Sequence, residues 1–228
     1  MSEPTNAAPA APSDLETRFA RFISALVLGI ARHWLALFNV AWGLYVFLPI
    51  LAPILMQVGW TVPARGIYGV YSFLCHQLPD HSYFLFSSNP VPHVHELEAA
   101  GMQPGMNILG QRRFIGNAVA GYKTALCQRD IAIYGSVFVS GLLFALFRDR
   151  IKAPSIKVYI LFLIPMAVDG VTQMLGWRES SWLLRSITGA MFGVASVWLA
   201  YPYVDQAMQD VVQSEEARMA DVYSNQMP

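Results

Sequence analysis

The stretch Leu161-Phe-Leu-Ile-Pro165-Met-Ala-Val-Asp169-Gly170-Val-Thr-Gln173-Met-Leu-Gly-Trp177-Arg178-Glu179-Ser-Ser-Trp182-Leu-Leu-Arg185-Ser-Ile-Thr188-Gly189 reads as two apolar runs interrupted by charge. An ionisable side chain inside a membrane helix costs roughly 2.5 to 3.5 kcal/mol on insertion scales, so Asp169 and Arg185 need partners or a task. A buried polar site between helices supplies both.

Composition places the rest of the chain around that stretch. With 55% hydrophobic and only 13% charged residues in 228, there is too little polar surface for an ordinary soluble domain. The chain is expected to be an all-α integral membrane protein with the lipid bilayer as its main partner. Fifteen basic residues balance fifteen acidic ones, and no basic cluster stands out, which argues against nucleic-acid binding. The first apolar run neither follows a short basic region nor ends at a small-residue cleavage site, so it is expected to persist as a membrane helix.

Residues 1–13, rich in Pro, Ala and small polar groups, are expected to be a disordered tail. In residues 14–33, Leu15, Phe19, Phe22, Ile23, Leu26 and Ile30 recur at three- to four-residue spacing opposite Arg18 and Arg21. This predicts an amphipathic interfacial helix. The membrane domain follows over 34–204. Its first helix comes from the charge-free run of 31 residues from Trp34 to Ala64, ending near Pro63, with a kink or early end at Pro49 or Pro53. Further helices are expected over about 129–147, 156–177 and 181–204, giving four in all. The insertion 65–128 combines an uncharged segment, Gly66 to Pro79, too short to cross, with a Pro-, Gly- and His-containing region of loop composition. It is expected to be a structured extracytoplasmic insertion with an interfacial or re-entrant segment. Residues 205–228 form an acidic tail whose Val204, Met208, Val211, Val212 and Met219 keep helical spacing.

Arg18, Arg21 and Arg32 before the first helix, and Arg148, Arg150, Lys152 and Lys157 between the second and third, set the expected orientation. Both groups, and both termini, are expected in the cytoplasm. Asp169 then lies about 12 Å below the outer end of its helix at 1.5 Å per residue, with Gln173 one turn above it. Arg129 and Asp130 open the second helix at the same end, and Arg185 enters the fourth one turn in. These groups lie beneath the insertion that carries Cys75, His76, Gln77, His81 and Cys127. Asp169, Gln173, Arg185, Arg129, Asp130 and Gln77 are the expected ligand-binding set. Asp169 is expected to pair with Arg185, with Arg129 as the alternative partner.

Cys75-His76-Gln77, Gly116-Asn117, Gly121-Tyr122-Lys123 leading to Cys127-Gln128-Arg129-Asp130 and Tyr134, Pro165 with Asp169-Gly170 and Gln173, and Arg185 with Thr188-Gly189 together carry a resemblance. The chain, over about residues 35 to 205, resembles the bacterial and archaeal membrane proteins grouped as domain of unknown function 2085. That resemblance implies a prokaryotic cell membrane and a set of signature positions without a reaction. For Cys75 and Cys127 the readings are an extracytoplasmic disulfide, ligation of a transition metal or haem with His76 or His81, and plain burial. No nucleophile elbow, phosphate loop, dinucleotide fingerprint or zinc-protease helix is present. The preferred function is a polar pocket in the outer leaflet that binds a small ligand or metal, or an accessory role in a homo-oligomer or larger membrane complex. The competing one is a membrane-embedded enzyme using Asp169 or His76 as acid or base, with or without a metal.

Overall fold

The computed structural model describes residues 14–224 and is mostly helical. The expected tail over 1–13 lies outside the described residues, as do the last residues of 205–228. Among the described residues, four helices are long and apolar enough to cross a membrane. They are α1 (Asp14–Gln57), α5 (Gln128–Phe147), α6 (Ile156–Met174) and α7 (Trp182–Ser224). Between α1 and α5 the insertion contains α2 (Thr61–Tyr71), strand β1 (Ser82–Leu85), α3 (Val94–Ala99), α4 (Ile108–Arg113) and strands β2 (Gly116–Asn117) and β3 (Gly121–Cys127).

The interfacial helix expected over 14–33 and the membrane helix expected from 34 are continuous: α1 is one helix of 44 residues. No Pro or Gly stands at the junction Arg32-His33-Trp34, so nothing there breaks the hydrogen-bond ladder. Leu15, Phe19, Phe22 and Leu26 are exposed, whereas Ser24, Leu28 and Ala31 on the other side are buried. α1 also runs through Pro49 and Pro53 and ends six residues before Pro63. Pro49 lacks the N–H that would bond the Tyr45 carbonyl, and the Tyr71 hydroxyl donates to that carbonyl at 2.9 Å instead. The helix stops where Gly59 adopts φ +84° and turns the chain into α2, which at 11 residues is too short to cross a bilayer.

The described chain forms two compact units. One comprises 38–203; the other joins the described parts of 1–37 and 204–228. In the smaller unit Arg32 meets Glu216 at 2.6 Å, the Trp34 indole N–H donates to Asp205 at 3.2 Å and Arg218 donates to Ser24 at 2.7 Å. These contacts pair the start of α1 with the end of α7 in antiparallel fashion.

In the larger unit the insertion is a three-stranded antiparallel sheet in the order β1-β3-β2. Gly116 and Gly121 both have positive φ, and a Cβ at Gly116 would fall 2.0 Å from the Gly121 carbonyl oxygen, so this tight pairing requires glycine. Phe84, Leu97, Met102 and Ala120 form one apolar cluster under the insertion. A second, built from Ala52, Tyr68, Tyr71, Cys75, Ala125, Leu126 and Cys127, joins α1 to α2 and β3. Trp42 stacks on Tyr134 at 5.4 Å, and Tyr45 contacts both Tyr134 and Tyr71, continuing that contact to α5.

α6 has an inverted burial pattern. Its one buried residue is Asp169, while Ile160, Leu161, Ile164, Val168 and Val171 are exposed. A helix with an apolar exterior and a single buried carboxylate suits a lipid-facing position, the charge turned toward the protein.

Candidate functional site

β3 leads directly into α5, so the residues at that junction are fixed by a strand on one side and a helix on the other. Cys127 is the N-cap of α5, its Sγ accepting from the Asp130 N–H at 3.5 Å. Cys75 lies just beyond α2, its own N–H bonded to the Tyr71 carbonyl, and its Sγ accepts from the Cys127 N–H at 3.3 Å. His76 Nδ1 lies 3.8 Å from Cys75 Sγ. Cys75 Sγ, Cys127 Sγ and a His76 ring nitrogen all fall within 4.8 Å of one another.

The two cysteines are free thiols in the structure, with no disulfide joining them. The two sulfurs accept different backbone N–H groups instead. The Cys127 thiol also hydrogen-bonds to Cys75, which holds the Cys75 thiol well below its ordinary range and, with burial, pushes Cys127 above it. One sulfur is thereby primed as a thiolate, the form that ligates soft metals.

The Cys75-His76 turn is clamped from beneath. Gln77 takes a left-handed φ of +50°, and its amide donates to the Tyr68 and Ala125 carbonyls, each at 3.0 Å. Lys123 is fully buried in β3, and its ammonium donates to the carbonyls of Gln77 at 2.6 Å and Arg112 at 2.7 Å. Burial lowers Lys123 to about 7, while the neighbouring Cys75 works in the opposite direction. Arg112 reaches the carbonyls of Ser72 and Cys75, and the Tyr68 hydroxyl donates to the Lys123 carbonyl at 2.5 Å.

A cavity of about 270 Å³ adjoins the thiols and is lined by Cys75, His76, His81, Cys127, Arg129, Asp130, Gln173 and Arg185, with Leu74 as an apolar wall. The structure thus brings together most of the expected site residues. Gln77 is not in the wall, since its amide serves the clamp. His81 sits beside His76, ring centroids 5.5 Å apart, and burial pushes it down to about 4 despite Asp80 nearby. His93 and His95 lie elsewhere, stacked on each other in the lining of a larger cavity.

Asp169 is 1% exposed and its expected partner is corrected. Arg129 donates to its Oδ2 at 2.5 Å, Ser180 to the same oxygen at 2.8 Å, and Arg178 to Oδ1 at 2.8 Å. Arg129 also reaches Gln173 at 3.3 Å. Arg185 makes no ion pair with Asp169 and donates to the Gln128 amide oxygen at 3.2 Å. Arg178 and Ser180 stand in the turn between α6 and α7, reversed at Gly176 with φ +69°, which folds them over the carboxylate. Their adjacency to a helix end was the available signal, but charged loop residues ordinarily face water.

Four helices long and apolar enough to cross a membrane, with buried polar groups and a small inserted sheet, describe a multi-pass helical membrane protein. The model of the family described as predicted membrane protein (DUF2085) matches residues 112–199. An uncharacterized protein of Methanocaldococcus jannaschii is 32% identical over 159 residues, covering 67% of this chain and 80% of that relative. An uncharacterized protein of Methanothermobacter thermautotrophicus is 34% identical over 74 residues, covering 32% of this chain and 67% of its own length. The chain belongs to the DUF2085 family of membrane proteins. No solved structure matches it.

Proposed function

We propose that this membrane protein binds a soft transition-metal ion at Cys75, Cys127 and His76, at the insertion end of its helices. The observation that carries the reading is the approach of two sulfurs and one imidazole nitrogen to within 4.8 Å of one another on a clamped backbone. At a tetrahedral zinc with Zn–S near 2.3 Å, neighbouring ligand atoms lie about 3.7 Å apart, so small side-chain rotations bring these three donors into range. Two sulfurs and a nitrogen suit zinc, copper or iron and disfavour magnesium or calcium. Asp130, beside both cysteines at the start of α5, is the available carboxylate for a fourth position.

Three protein ligands facing a 270 Å³ cavity also favour the second reading, a membrane enzyme in which the ion keeps a position for water or substrate. His81, held neutral by burial, and Arg129 in the same wall are the groups that would meet such a substrate.

The test is titration of the reduced, purified protein with cadmium or cobalt, followed by the ultraviolet thiolate charge-transfer band. One equivalent is expected to bind. Cys75→Ser and Cys127→Ser should each weaken binding by roughly 100-fold or more, beyond the loss usual for an outer-shell partner. Absence of a charge-transfer band, with both thiols open to alkylation at every metal concentration, would refute the site.

A further inference from the structure

The larger cavity, about 640 Å³, lies between the insertion and the turn joining α6 to α7, and falls within the range of small-molecule sites. Arg185 lines it, only 6% exposed. A guanidinium has five N–H donors and cannot shed its charge, yet the hydrogen bond it makes here is to the neutral Gln128 amide, and its Nε–H is buried with no partner. Such a group is costly unless an anion joins it.

Asp80 lines the same cavity with the opposite deficiency. Its Oδ1 is buried and unpartnered, and its carboxylate meets the His81 ring at 3.5 Å rather than Arg185. Glu179 adds a second acid to the wall. An inorganic anion would satisfy Arg185 and be repelled by both acids. A molecule with an acid group and an ammonium group on a short spacer satisfies both ends. Trp182, at the first position of α7, also lines the cavity, and Trp at the end of a membrane helix marks headgroup depth.

We propose that this cavity binds a phosphoethanolamine-type zwitterion, with the phosphate on Arg185 and the ammonium on Asp80. The Gln128 amide, which donates one N–H to the Ser82 carbonyl at 3.2 Å, keeps a second N–H, and this and the Ser181 hydroxyl in the wall are further groups able to bond the phosphate. Arg185 also lines the smaller cavity, but the thiols do not line this one, so the assignment does not depend on the metal.

Calorimetric titration of delipidated protein in detergent tests it, using phosphoethanolamine, inorganic phosphate, ethanolamine and a short-chain phosphatidylethanolamine as separate probes. The zwitterionic probes should bind at least tenfold tighter than phosphate or ethanolamine. Binding of the lipid alone assigns the site to a membrane headgroup, and equal binding of the free compound assigns it to a soluble ligand; either supports the zwitterion. Arg185→Gln should weaken binding roughly 30-fold or more, as expected for loss of a buried charged partner. Asp80→Asn should abolish the preference for phosphoethanolamine over phosphate, and that comparison decides the matter if Arg185→Gln fails to fold. Cys75→Ser should leave the titration unchanged, which separates this site from the metal site. No binding of any probe would mean a cavity holding water alone, and equal affinity for phosphate and phosphoethanolamine would mean an unselective anion site. Either result, or full binding by Arg185→Gln, overturns the proposal.

Discussion

Asp169 illustrates how a residue can be recognised in sequence while its partner is not. A lone acid in an apolar run declares itself by its insertion cost, but the partner is set by how a turn closes. Arg185, about one turn inside the expected fourth helix, was the expected partner, whereas Arg129 and Arg178 share the carboxylate. Arg178 is 41% exposed and its contribution is expected to stay within about 1 kcal/mol. Arg129, 22% exposed, is the consequential partner. Asp169→Asn and Arg129→Gln should each lower stability in detergent, with a coupling of about 1 to 3 kcal/mol in a double-mutant cycle. The cycle of Asp169→Asn with Arg185→Gln should be additive within about 0.5 kcal/mol. Chemical denaturation followed by tryptophan fluorescence reads both, and coupling found only with Arg185 would contradict the ion-pair geometry. Lys123 escaped notice as a structural residue because a lysine in a short segment ordinarily reads as surface. Lys123→Met should cost roughly 2 to 4 kcal/mol, since it strands the buried carbonyls of Gln77 and Arg112.

At the scale of elements, hydropathy marked the membrane helices well, and α5 and α6 begin within a residue of the expected positions. The strands were hidden by their own composition. β3 is buried over nearly its whole length yet carries Lys123 and Thr124, so it shows neither an apolar run nor the alternation of a half-buried strand. The glycines separate into those that set helix contact and those that do not. A Cβ at Gly193 would lie 2.1 Å from Ser136 Oγ and 2.4 Å from the Ile133 carbonyl oxygen, and one at Gly189 would lie 2.9 Å from the Arg129 carbonyl oxygen. α7 therefore packs backbone-close against α5, as small residues permit in membranes. At Gly170 the nearest atom would be Arg129 Nη1 at 3.7 Å, an ordinary contact. Gly193→Ala should destabilise by about 1 to 3 kcal/mol through forced separation of the helices, while Gly170→Ala should be neutral or slightly stabilising through helix propensity. Thermal unfolding in detergent distinguishes them, and equal tolerance at both positions would mean that the α5–α7 approach is looser than the backbone geometry requires.

For the whole molecule, an even number of crossings returns the chain to the side on which it began. The helices α1, α5, α6 and α7 supply four candidates. α1 and α7, at 44 and 43 residues, are each about 65 Å long, far beyond a hydrocarbon core of about 30 Å. The excess falls on the segments that pair with each other, residues before about 34 in α1 and after about 204 in α7, where Arg32, Glu216 and Arg218 form ion pairs and hydrogen bonds suited to water. The charge-free run from Trp34 to Gln57 is the part of α1 matched to lipid. With all four crossing, Arg18, Arg21 and Arg32, which precede the first crossing, are expected on the same side as Arg148, Arg150, Lys152 and Lys157, which follow the second. By the positive-inside rule that side is expected to be cytoplasmic, and the insertion with both cavities extracytoplasmic. Single cysteines introduced into a Cys75→Ser, Cys127→Ser background test this with a membrane-impermeant maleimide on intact cells. A cysteine at Arg113, exposed at the end of α4, should label without permeabilisation; one at Lys152 or Gln213 should label only after it. Labelling of Lys152 and Gln213 but not Arg113 would invert the molecule, and the cavities would then draw their ligands from the cytoplasm. Labelling of Lys152 and Gln213 on opposite sides would require an odd number of crossings and would remove one of the four helices from the membrane.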